Sequence, residues 1–144
     1  MADAPTTPEE RATADPAIDV SSVHYWQLLR VRDARTMTAF LQSIGFREHA
    51  TVTEKGDPSR ILHAEWVWER GGGVMLSSMR ADRFAVGPSG AVLVCPDPDD
   101  VLRRAVAAGA TAVQPVEDQP FGGRSGTVRD PEGNLWNFSS YQPT

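Results

Sequence analysis

The chain is expected to be an α+β protein built from two tandem βαβββ modules, and three features predict it. Short apolar or alternating runs bounded by turn residues far outnumber segments with helical period. The sequence also repeats itself: Gly133–Ser140 lies over Gly71–Ser78 at an offset of 62, and Asp33 lies over Asp97 at an offset of 64. Finally, Asp130-Pro131-Glu132-Gly133 separates Thr127-Val128 from Leu135, Trp136 and Phe138. Its carboxylate, fixed φ and glycine are the chemistry of a hairpin turn. One module alone leaves a sheet face open, and a second covers it.

Taken in order, Met1 to about Ser22 is rich in Ala, Pro, Thr, Asp and Glu without apolar periodicity, and reads as a disordered or loosely attached tail. Residues 23–142 then form a single domain, with modules at about 23–79 and 90–142 and a connector at 80–89. Val23–Val31 is the first strand. Asp33 is placed to cap a helix whose apolar face is Met37, Phe40, Leu41 and Ile44, ended by Gly45. Strands follow at Phe46 to about Glu54, Ile61–Trp68 and Val74–Ser78, with turns at Lys55–Ser59 and Gly71–Gly73. The second module starts with the apolar run Ala91–Cys95. Asp97-Pro98 opens a helix with Val101, Leu102, Ala105 and Ala108 inward and Gly109 at its end. A strand at Ala112–Val116, a mobile loop at Pro120–Gly123 and the closing hairpin complete it.

Composition limits the function. The formal charge of −5 argues against sequence-independent nucleic-acid binding, which needs a positive field. No run approaches the roughly 18 apolar residues of a membrane span, and no signal peptide is visible, so a cytoplasmic protein is expected. Cys95 is the only cysteine, lies in an apolar run, and reads as a buried inert thiol.

The paired modules, the Asp-opened helix ending in Gly45-Phe46 and the closing Asp130-Pro131-Glu132-Gly133-Asn134 before an aromatic strand resemble the vicinal oxygen chelate superfamily. That group holds glyoxalases, extradiol dioxygenases and bleomycin-resistance proteins, and the resemblance runs from about Val23 to Tyr141. It implies a cupped mixed sheet, the glyoxalase/bleomycin-resistance fold, and a homodimer. In the metalloenzymes of the superfamily, two metal ligands lie seven residues before each helix-capping Asp and two lie on the last strand of each module. Here those positions carry Trp26, Gly90, Met75 and Asn137. Trp and Gly give no side-chain lone pair, Met is soft, and Asn is a weak neutral donor. No metal or other cofactor is therefore expected.

The resemblance is closest in character to the metal-free bleomycin-resistance type. The expected function is sequestration of a bulky, planar or heteroaromatic natural product, without chemical change, in antibiotic resistance or self-protection. Trp26, His24, Trp66, Trp68, Met75, Phe121, Arg124 and Asn137 are the candidate ligand-binding residues, with no catalytic residue among them. Two alternatives stand beside this reading. One is a lyase, isomerase or dioxygenase of the same fold with displaced metal ligands at His24, His63 and Glu65; the other is an accessory metabolite-binding module in biosynthesis or regulation. For each candidate a bland role competes: core packing for the tryptophans, a surface ion pair for Arg124, an exposed polar pair for His63 and Glu65.

Overall fold

A computed structural model describes residues 10–15, 17–79 and 87–143. The elements, in order, are β1 (Glu10–Ala14), β2 (Trp26–Val31), α1 (Ala34–Ser43), β3 (Phe46–Glu54), β4 (Asp57–Trp68), β5 (Gly73–Ser78), β6 (Gly90–Val94), α2 (Pro98–Ala107), β7 (Thr111–Asp118), β8 (Arg124–Arg129) and β9 (Leu135–Ser139). Most of the expected connector, residues 80–86, lies outside the described residues. The two βαβββ modules are β2-α1-β3-β4-β5 and β6-α2-β7-β8-β9, so the α+β assignment holds.

The chain forms two compact units, one containing the sheet β1-β3-β4-β5-β2 and the other the sheet β6-β9-β8-β7. Each module closes the same way: its first strand pairs in parallel with its last, β2 with β5 and β6 with β9, and the remaining pairs are antiparallel. The register reproduces the internal repeat. Trp26 faces Gly73 and Gly90 faces Leu135, while Leu28 faces Met75 and Val92 faces Asn137. The offsets of 64 and 62 seen in the sequence are thus the same inter-strand pairings used twice.

In the first unit, strand alternation sends Leu29 and Val31 of β2, Ala64, Trp66 and Trp68 of β4, and Val74 and Leu76 of β5 into the core. Phe46 joins them, its ring centroid 6.3 Å from that of Trp68. The turn between β3 and β4 is tighter than the sequence suggested. It occupies Lys55-Gly56, with Gly56 at φ 84°, and residues 57–60 already belong to β4.

The segment before Val23 departs from the expectation of a loose tail. Glu10–Ala14 forms β1, paired antiparallel with β3 from Glu10↔Glu54 to Ala14↔Ala50. Asp15 N–H continues the edge by donating to the His49 carbonyl at 2.7 Å. This pairing is made by backbone groups along an open strand edge, which needs no apolar pattern. Composition therefore gave no sign of it.

In the second unit, residues 36–45, which include most of α1, and the helix α2 accompany the sheet. Phe40 of α1 packs on Trp136 of β9 at 5.7 Å between ring centroids, and Arg104 of α2 donates to the Ser43 carbonyl at 2.8 Å. Asp97 caps α2 by accepting from Asp100 N–H, and Pro98 starts the helix. Gly45 and Gly109, with φ of 103° and 108°, follow the two helices in the left-handed region. Gly126 of β8 allows close packing on α2: a Cβ there would stand 2.9 Å from Leu102 Cδ1.

The closing turn is an architectural device. Asp130 is buried, and its carboxylate accepts from Glu132 N (2.8 Å), Asn134 N (3.0 Å), Asn134 Nδ2 (2.9 Å) and Trp136 Nε1 (2.8 Å). Asn134 Oδ1 in turn accepts from Ser89 N at 3.0 Å. The turn thus fixes the indole of the largest core side chain and the entry to β6 together.

Candidate ligand-binding face

On β2 the residues alternating with the core set are Trp26, Leu28 and Arg30; on β5 they are Gly73, Met75 and Ser77; on β4 they are His63, Glu65 and Val67. Register arranges them in rows across the sheet: Trp26–Gly73–Val67, then Leu28–Met75–Glu65, with Arg30 opposite Ser77 one step further on. This is the open face of the first unit, with Leu28 45% exposed and Trp26, Met75, Glu65 and His63 only partly covered.

The Trp26 ring lies across Gly73 of the neighbouring strand. A Cβ at Gly73 would sit 2.3 Å from Trp26 Cε3 and 2.4 Å from Cζ3, so the missing side chain is what makes room for the indole. Trp26 Nε1 donates to the Val23 carbonyl at 3.1 Å, which holds one edge of the ring and leaves its face for packing. Sequence reasoning took Gly73 for the end of a turn. Its role appears only once register sets it beside Trp26.

Next to this apolar floor is a polar cluster. Glu65 Oε2 lies 2.8 Å from His63 Nε2, and Oε1 lies 3.7 Å from His49 Nε2. His49 was absent from the candidates. A bulge in β3 between Glu48 and Ala50 breaks the period-two count and brings it to Glu65. His49 Nδ1 is buried without a hydrogen-bond partner among the described residues.

The other candidates fall into different surroundings. Trp66 and Trp68 share one face of β4 as expected, but it is the core face, where they are 3% and 6% exposed. That takes both away from the surface carrying Trp26. His24 is exposed and precedes β2, on the far side of Trp26 from Glu65 and His63, so the three do not converge. In the second unit Asn137 of β9 is on the open face beside Val92, which is 63% exposed, and its Nδ2 donates to Thr127 Oγ1 at 3.0 Å. Phe121 is exposed on the β7–β8 loop and meets Tyr141 edge to face at 5.3 Å.

Arg124 is already engaged. Its Nε and one terminal nitrogen donate to both oxygens of Asp99 at 3.1 and 3.0 Å, and its other terminal nitrogen donates to Asp118 at 3.0 Å. The fork ties the start of β8 to α2 and to β7. Hydrogen bonding to Arg124 holds the Asp99 carboxyl below its ordinary value, and the same two carboxylates raise Arg124 further above its own. The surface ion pair that competed with a ligand role is what the structure places here.

The four positions that the resemblance assigns to metal ligands carry a donor set that does not fit a metal. Trp26 offers only an N–H, Gly90 has no side chain, Met75 presents a soft sulfur, and Asn137 offers a neutral amide oxygen. Among the described residues, no group of three or more His, Cys, Asp or Glu side chains is placed to hold an ion.

Two mixed sheets, in each of which the module's first and last strands pair in parallel, define a glyoxalase-like protein. The chain belongs to the Glyoxalase/Bleomycin resistance protein/Dioxygenase superfamily, whose profile matches residues 22–138. Among solved structures it is similar to TioX from Micromonospora sp. ML1, with 29% identity, a TM-score of 0.65, and coverage of 83% of this chain and 98% of that one. The genomically encoded fosfomycin resistance protein FosX from Listeria monocytogenes shares the fold at 18% identity and a TM-score of 0.59, covering 82% of this chain and 92% of its own. A superfamily member from Sphaerobacter thermophilus does so at 23% identity and a TM-score of 0.58, covering 80% and 94%. A 46-residue stretch is 47% identical to an uncharacterized protein of Mycobacterium bovis, covering 32% of this chain and 30% of that protein. The matched stretch is thus less than a third of the length of that relative.

Proposed function

We propose that this protein binds a planar or heteroaromatic small molecule on the face carrying Trp26, without a metal and without altering the guest. The observation that carries the reading is the Trp26 indole, laid over Gly73 at a position where metalloenzyme relatives place a ligand. An indole face with one edge hydrogen-bonded is rigid, apolar and polarizable, which suits stacking. Leu28, Met75 and Val67 extend that floor. Membership of a superfamily that includes bleomycin resistance proteins supports a small-molecule role, with antibiotic sequestration as its proposed setting. The functional form is a homodimer in the cytoplasm.

The test is titration with bleomycin-like, quinone and enediyne-type compounds, read by quenching of tryptophan fluorescence, alongside denaturant melts. Trp26→Ala should weaken binding by up to about tenfold, from a stacking contribution of about 0.5–1.5 kcal/mol. Its effect on folding should stay well below the roughly 3–5 kcal/mol expected of a core tryptophan. A badly destabilised variant, with no compound binding the parent protein, would contradict the proposal.

A further inference from the structure

We propose that Glu65 anchors a cationic group of the guest whose planar part lies on Trp26. The inference rests on the stacking reading above and adds the charge class of the ligand. A carboxylate has about four acceptor positions, and among the described residues Glu65 uses one short contact, to His63, with His49 at longer range. Its side chain is 23% exposed, so the remaining capacity faces outward from the sheet rather than into the core. Partial burial beside Met75 and Val67 lowers the local dielectric and strengthens its attraction for a positive charge.

Position supports this. Glu65 is one row along and two strands across from Trp26, and the indole reaches back over the intervening Gly73. Strand spacing and rise put the carboxylate on the order of 8 Å from the ring. That is the span of a fused ring system bearing a ring or side-arm amine. The indole face itself attracts cations through its quadrupole, so floor and anchor select the same charge. The formal charge of −5 favours approach of such a guest. Among the described residues on this face Arg30 opposes it, with Ser77 Oγ across from β2 as one of its hydrogen-bond partners. An anionic guest would seek Arg30 rather than Glu65, and the two outcomes separate experimentally.

Calorimetric titrations with three planar probes decide the matter: cationic proflavine, neutral acridone and anionic anthraquinone-2-sulfonate. The parent protein should bind proflavine at least tenfold more tightly than acridone. Glu65→Gln should reduce proflavine binding about tenfold, leave acridone within twofold, and melt like the parent, while Trp26→Ala weakens both. Equal effects of Glu65→Gln on proflavine and acridone, or none on either, would overturn the anchor while leaving the stacking reading standing. Preferential binding of the sulfonate, lost in Arg30→Gln, would likewise overturn it and move the anchor to Arg30. Indifference of all three probes to Trp26→Ala, or failure of all three to bind, would overturn both readings.

Discussion

Gly73→Ala is the smallest change that tests how the ligand face is built. The added methyl would stand 2.3–2.8 Å from Cε3, Cζ3 and Cδ2 of Trp26, so the indole must leave its place. Gly73 is not among the glycines with positive φ, so alanine imposes no backbone strain and the effect is confined to the ring. Three terms decide the size. Overpacking costs about 1–3 kcal/mol. Loss of the hydrogen bond from Trp26 Nε1 to the Val23 carbonyl adds about 1 kcal/mol. Reduced freedom of the unfolded chain returns about 0.4–1 kcal/mol. The net is a destabilisation of roughly 1–3 kcal/mol, or a fall in melting temperature of about 3–10 °C for a chain of this size. Guest binding should fall at least as far as in Trp26→Ala, because the displaced indole also obstructs the floor. Thermal melts and near-ultraviolet circular dichroism give stability and indole environment from one sample. An alanine variant that binds guests like the parent, with an unchanged indole signal, would refute the argument.

Other perturbations test other parts of the account. Asp130→Asn puts an amide where four donors converge, leaving two facing a donor; at about 1.5–3 kcal/mol per charge-assisted bond the loss should be about 3–5 kcal/mol in urea melts, and a change below about 1 kcal/mol would refute the role of the buried turn. Deleting residues 1–16 removes β1, where backbone hydrogen bonds of about 0.5–1.5 kcal/mol each are largely offset by ordering of about 1–2 kcal/mol per residue. The melting temperature should therefore fall only slightly, while the bared β3 edge raises self-association, visible by light scattering. Arg124→Gln should bring the Asp99 titration, followed by carboxyl NMR, back up toward its ordinary 3.8. The sign follows from the lowered folded-state value: the contribution of Asp99 is complete above the unfolded value and is lost as pH falls through the lower, folded one. Acid sensitivity below about pH 4 should thus diminish in the variant, and an unmoved titration would show that Arg124 is not its cause.

The fold was legible because its signals are local and written twice. The Asp130 turn declares a hairpin by residue type, and the two offsets relate the pairing of Trp26 with Gly73 to its copy, Gly90 with Leu135. Trp26 stood out as a candidate because resemblance gave its position a meaning. What stayed hidden depends on neighbours in space. β1 is held by backbone groups with no side-chain pattern, and the β3 bulge moves His49 to Glu65 against the alternation rule. Parity placed Trp66 and Trp68 together but not on which side of the sheet the core would form. The engagement of Arg124 needed Asp99 and Asp118, residues 25 and 6 positions away, brought to one corner by folding.

The central claim, metal-independent binding on Trp26, is tested most directly by the indole N–H signals of the four tryptophans in chelator-treated protein. Titration with a planar guest should shift the Trp26 signal saturably and leave those of buried Trp66, Trp68 and Trp136 in place. A Trp26 signal that stays fixed until a divalent metal is added would contradict the account.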